Sequence, residues 1–111
     1  MAYQNVIGNR LSQAEMTTSY VTIYTTPVAN RTYIKNLDIC NTTGSPQRFY
    51  VHFIQKGKTA DASNAVFYNA PINPYTTVQW TGSEILTEGD IIQVKASAAG
   101  VAIMITGGEA T

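Results

Sequence analysis

The chain has very little of what chemistry is usually built from. Its 111 residues include one cysteine, Cys40, and one histidine, His52. A lone cysteine excludes an intramolecular disulfide, and with it the disulfide-stapled secreted scaffolds. The two residues together fall short of the four ligands that close a structural zinc site. A Ser-His-Asp or Cys-His arrangement would have to join His52 to a distant partner, and His52 alternates with aromatic residues in a strand-like run, which reads as a structural position. Acidic residues stand singly at Glu15, Asp38, Asp61, Glu84, Glu88, Asp90 and Glu109. Only Glu84, Glu88 and Asp90 are close in sequence, and they lack the alternating oxygen spacing of a calcium loop. No GxxxxGK[ST] or GxGxxG phosphate-binding loop occurs. The expectation is a non-enzymatic protein with no catalytic residue, no cofactor and no metal site.

Charge is scarce as well. Seven basic residues cancel seven acidic ones, and charged residues make up 13% of the chain, against about 25% in ordinary globular domains. A balanced charge lacks the basic footprint of a nucleic-acid binder or a polybasic membrane anchor, so neither nucleic acid nor membrane is expected as a partner. No apolar run approaches the ~20 residues of a membrane-spanning helix. The first residues lack a basic segment followed by a long apolar block, so no signal peptide is expected. A surface poor in charge and rich in Thr, Asn, Ser and Tyr suggests lasting contact with other protein.

What the chain does contain is short alternating runs separated by breakers. The organising stretch is Thr18 to Asn41, TSYVTIYTTPVANRTYIKNLDICN, read as two strands joined at Pro27 to Arg31 into a hairpin. In its first run Tyr20, Thr22 and Tyr24 face one way and Val21 and Ile23 the other. In its second, the change of phase near Lys35 and Asn36 predicts a bulge. Further strands are expected at Arg48 to Gln55, Ala65 to Tyr68 and Tyr75 to Thr81, with Lys56 to Asn64 as the longest polar loop. Gly82 to Asp90 reads as a turn with Leu86 tucked beneath it. Ile91 to Ala96 and Val101 to Thr106 read as a last strand pair, joined through a loop in which Gly100 supplies positive φ. Gly107 to Thr111 reads as a small polar tail. The fold class is therefore all-β: an antiparallel β-sandwich of seven or eight short strands, jelly-roll-like, with no convincing helix. Residues 1–17 hold few large apolar side chains and form an N-terminal arm or an edge strand, one that reaches a neighbouring subunit. Residues 18–111 form the sandwich domain.

Aromatic residues supply the candidate surface. Trp80, the only tryptophan among 111 residues with seven tyrosines, reads as core filling, and alternatively as a stacking platform for sugar or base. Tyrosine suits both cross-strand packing and interfaces, since it combines a large apolar body with a polar tip. Trp80, Tyr20, Tyr24 and Tyr75 are the residues a protein interface or glycan platform would draw on.

The succession IYTTP, TYIKNLDICNTTGS, VQWTG and LTEGDIIQVKASAAGVAIMITGGEAT resembles small all-β structural proteins of tailed bacteriophage virions. The matching positions are Tyr24 to Pro27, Ile39 to Gly44, Thr77 to Gly82 and Leu86 to Ala99, within a resemblance that spans Tyr20 to Thr106. The matching motifs are turn and core chemistry and name no catalytic residue. What the resemblance implies is a virion protein, assembled in the host cytoplasm, with other virion proteins and further copies of itself as partners. A decoration or cement subunit on the outer head surface is the leading expectation. Collar or tail attachment is the alternative. A carbohydrate-binding module for host glycans is the rival from another class, and a hydrolase using His52 is a third reading.

Overall fold

The structure, a computed structural model, describes residues 6–110. Eight strands make up about two thirds of them: β1 (Val6–Glu15), β2 (Val21–Thr25), β3 (Arg31–Asn41), β4 (Gln47–Ile54), β5 (Ala65–Ile72), β6 (Thr77–Thr87), β7 (Ile91–Ala96) and β8 (Val101–Ala110). They form two four-stranded sheets, the first in the order β1-β8-β3-β6 and the second β2-β7-β4-β5. All the pairings are antiparallel. This is the eight-stranded double-sheet jelly roll. A single 3-10 turn, Ala62–Asn64, interrupts the long loop before β5.

The core is the layer between the sheets, supplied by the inward half of each alternating run. Ile34, Leu37 and Ile39 of β3, Ile103 and Ile105 of β8, Phe49 and Val51 of β4, and Ile92 and Val94 of β7 are all buried. Each such side chain stabilises the fold by about 1.5–3 kcal/mol relative to exposure. On β3 the buried set runs Thr32, Ile34 and then Leu37, Ile39, Asn41. The shift of phase falls where both of its ladders slip register, between Ile34 and Asn36. The predicted bulge is therefore present.

Several expectations about connection are overturned. The Thr18 to Asn41 stretch is not a hairpin: β2 pairs with β7 in the second sheet, while β3 pairs with β6 and β8 in the first. The last two strands are likewise split between sheets, with β7 in the second and β8 in the first. The loop between them still uses glycine as expected, with Gly100 at φ +104. Of the strands consecutive in the chain, only β4 and β5 are also paired. Turn residues mark where the chain reverses; they do not mark whether it returns to its own sheet or crosses the gap to the other.

Three stretches read as non-strand are strand. Asn69 to Ile72 continues β5 past its expected end at Tyr68; Pro71 is tolerated because β5 is an edge strand. Gly82 to Thr87 continues β6, with Leu86 buried. Between Ile34↔Glu84 and Asn36↔Thr81, two residues of β6, Gly82 and Ser83, oppose the single residue Lys35, so this glycine marks a bulge and not a turn. Gly107 to Ala110 completes β8, with Gly107, Gly108 and Ala110 buried; Thr111 lies outside the described residues. At the other terminus, β1 is an edge strand of the first sheet, paired with β8 along its length. Met16, which follows it, is 1% exposed and part of the core. Residues 1–5 lie outside the described residues.

Candidate functional site

His52 lies near the middle of the second sheet and is fully buried. Its Nδ1 is 2.7 Å from Asn64 Oδ1 and its Nε2 is 3.0 Å from the Tyr20 hydroxyl. Asn64 Oδ1 also accepts the Asp61 amide, so it is the acceptor in both contacts. The network therefore assigns the ring proton to Nδ1, and Nε2 accepts from Tyr20. In connectivity this is a hydroxyl, a base and an orienting amide. In chemistry it is not an activated nucleophile: burial, with the neighbouring Tyr68 and Tyr50, raises the Tyr20 hydroxyl above its ordinary pKa. The arrangement holds a tyrosine ring in place.

Cys40 is half-buried on β3. Alternation puts it on the outer face of the first sheet, since Ile39 and Asn41 on either side are buried, whereas His52 belongs to the second sheet. The two residues do not meet. Among the described residues no three of His, Cys, Asp and Glu are grouped so as to hold a metal ion.

A cleft of about 480 Å³ is lined by Phe53, Gln55, Lys58, Asp61, Val66 and Glu84 among others. Asp61 is committed to structure there. Its carboxylate accepts from the Ser63 hydroxyl and the Ser63 amide, and these bonds hold its pKa below the usual carboxylate value. It caps the 3-10 turn, and Asn64 completes the reciprocal capping box.

The four aromatic residues singled out from sequence are not brought together. Trp80, opposite buried Leu37 on β3, is half-buried against the core and meets Phe53 edge-on at 5.9 Å between ring centroids. Tyr75 is 74% exposed in the turn between β5 and β6, with φ +53. Tyr24, from β2, does not share a side with Tyr20 and Thr22 as strict alternation predicts, because β2 slips register between Thr22 and Tyr24; it reaches across to the first sheet, where its hydroxyl bonds the Thr32 hydroxyl at 2.7 Å and donates to the Glu109 carboxylate. Tyr20 alone belongs to an aromatic surface cluster.

That cluster contains residues the sequence reading did not select. Tyr20 and Tyr50 pack edge to face with centroids 6.1 Å apart, and Tyr50 and Tyr68 do so at 5.2 Å. Lys95 Nζ sits 4.7 Å from the Tyr20 ring centroid and 4.6 Å from that of Tyr50. Lys95 faces Tyr50 across the β4–β7 ladder. Asn69, at φ +52, lies in a β5 bulge opposite Tyr50, and its side chain accepts from the Tyr50 hydroxyl at 3.2 Å. Alternation puts Tyr50 on the face of β4 opposite buried Phe49 and Val51. Its neighbours follow from strand order, which no local signal carries.

The Tyr24 bridge makes stability depend on alkaline pH. Burial first, and then the hydrogen bond to Glu109, push its pKa up to about 12. The unfolded chain ionises this group near 10. The contribution is thus complete below pH 10 and is lost as pH rises through about 12. We expect denaturant midpoints to fall over that window, and Tyr24→Phe to flatten the fall. The same variant should lose about 1 kcal/mol at neutral pH, because Thr32 is buried and loses this hydroxyl partner. Chemical denaturation of both proteins from pH 8 to 12 checks it.

No protein-family model matches the chain, and no curated protein matches it in sequence. Solved structures do match in fold. A chain of the T13 particle of infectious bursal disease virus aligns over 96% of this protein with a TM-score of 0.56 at 10% identity. A chain of the Gx strain of the same virus aligns over 96% with a TM-score of 0.54 at 11% identity. This protein covers 30% and 32% of those two viral chains, under a third of their length. A chain of the Bacillus endospore appendages, which form disulfide-linked pili, aligns over all of this protein and 94% of its own length, with a TM-score of 0.54 at 13% identity. The similarity is one of fold: the same two-sheet architecture occurs in chains of a virus particle and of a spore appendage.

Proposed function

We propose that the protein is a non-enzymatic structural subunit of a tailed-bacteriophage virion, bound to the outer head surface as a decoration or cement protein and present in many copies. The observation that carries this is the jelly roll itself, found here without a helical layer and shared with chains of a virus particle and of a pilus. Such a sandwich gives a rigid block with two broad faces and four edge strands, which suits repetition around a symmetric assembly. The sequence resemblance to phage virion proteins supplies the phage assignment, with collar or tail attachment as the other location it supports. The outer face of the first sheet fits a lasting contact. Met104 is exposed there beside Asp38, and the Asp38 carboxylate already accepts from the Asn36 and Gln79 amides.

Quantitative mass spectrometry of purified virions is the test. The protein should be present at a copy number that is a multiple set by the particle's symmetry, and mild dissociation should release it without emptying the head. Absence from washed particles would end this reading.

A further inference from the structure

The second sheet is chemically one-sided. Its four strands contain no Asp or Glu, and their only charged residues are Arg48 and Lys95. Both lie on the outer face. Lys95 is paired with Tyr50, and Arg48, two positions before Tyr50, shares its side of β4. Arg48 uses one nitrogen to bond Asn69 O at 3.0 Å. The large apolar side chains exposed on this face are Tyr20 at 37% and Tyr68 at 60%, whereas the exposed aliphatic residues Val28, Ile85 and Met104 lie elsewhere.

These features select among ligands. Tyrosine and arginine also occur in protein interfaces, but this face offers no large exposed aliphatic side chain for the apolar centre of one. A saccharide presents C–H surfaces to aromatic rings and hydroxyls to phenols and amides, the groups gathered here. Two cations with no carboxylate on their own strands favour a ligand that brings negative charge. We propose that the outer face of the second sheet, centred on Tyr20, Tyr50, Tyr68, Arg48 and Lys95, binds a saccharide carrying carboxylate groups. The face is pre-ordered for this. Lys95 is held against two rings, and Tyr20 is anchored from beneath by His52 and Asn64, so little side-chain freedom is lost on binding. The proposal does not depend on incorporation of the protein into a particle.

The test is calorimetric titration of the whole protein, at neutral pH and low salt, with a hyaluronan hexasaccharide, an oligogalacturonate, neutral maltohexaose and a hexaglutamate peptide. At least one of the carboxylated saccharides should bind roughly tenfold or more tighter than maltohexaose or the peptide, and added salt should weaken it. Lys95→Gln and Tyr68→Ala should each lower that affinity by about tenfold or more with the fold intact by circular dichroism, while Met104→Ser, on the other sheet, should leave the affinity unchanged. Equal binding of maltohexaose would overturn the proposal, because charge would then play no part. Equal or tighter binding of hexaglutamate would overturn it in favour of a docking surface for acidic protein. Failure of both carboxylated saccharides to bind at millimolar concentration would overturn it outright.

Discussion

Gly107→Ala should cost about 4 kcal/mol or more, a loss in the range that only severe steric or core damage produces. Gly107 lies in β8, paired with Asn9 on one side and Ile34 on the other. A Cβ placed there would fall 1.9 Å from the Tyr33 carbonyl oxygen and 3.2 Å from Leu11 Cδ1. The first of these is a backbone atom in a central strand, so rotamer adjustment cannot relieve the overlap. Both neighbouring ladders slip register beside this point, between Arg10 and Ser12 and between Ile34 and Asn36, and the sheet bends around the glycine. Folded domains are stable by only about 5–15 kcal/mol, so a large share of the margin is at stake. Urea denaturation gives the measure. A loss below about 1 kcal/mol would mean that β8 does not run against β3 as described.

Asn41→Ala is the second large effect, through hydrogen bonds and not through volume. Asn41 is fully buried at the end of β3. Its Nδ2 donates to Ser45 O at 2.8 Å, Asn73 O at 3.2 Å and Ile72 O at 3.3 Å, and its Oδ1 accepts from the Thr43 amide and hydroxyl at 3.0 and 2.7 Å. One side chain thus joins the turn after β3 to the turn after β5. Removing it leaves main-chain groups without these partners, each at about 1–3 kcal/mol if water cannot replace them. We expect a total loss of about 3 kcal/mol. Amide exchange at Thr43 and Tyr75 should quicken, since Tyr75 N donates to Thr43 O across the same junction. Asn41→Asp should be worse: it keeps the acceptor for Thr43 but turns a carboxylate oxygen toward three carbonyls. If Asn41→Ala unfolded like the unmodified protein, the two turns would not be coupled through this residue.

Both sites show how much of the molecule was legible beforehand. Asn41 reads as the end of a strand, and it is; its role as a buried junction is not legible, because two of its acceptors, the Ile72 and Asn73 carbonyls, lie 31 and 32 positions later in the chain. Gly107 was read as the start of a tail, since a glycine pair offers no side chain to an alternating pattern. Its reason for being glycine is the carbonyl of Tyr33, on another strand. Trp80 was read as core filling and is half-buried against Phe53. The aromatic cluster was visible only in its first member, Tyr20. Tyr50 and Tyr68 pack together because β4 and β5 pair, and Lys95 joins them because β7 lies on the other side of β4.

From its residues alone the chain specified an all-β sandwich, the bulge on β3, and a scarcity of ionisable groups from which chemistry could be built. These follow from the two-residue period of a strand and from turn residues, both of which act over a few positions. Which sheet each strand enters was decided by the tertiary structure. So were the continuation of β6 through Gly82, the continuation of β8 through Gly107, and the convergence of Tyr20, Tyr50, Tyr68 and Lys95 on one face. The physical reason is that ladder hydrogen bonds and inter-sheet packing join residues far apart in the chain. An alternating run buries its apolar side equally well in either layer until its partners are in place.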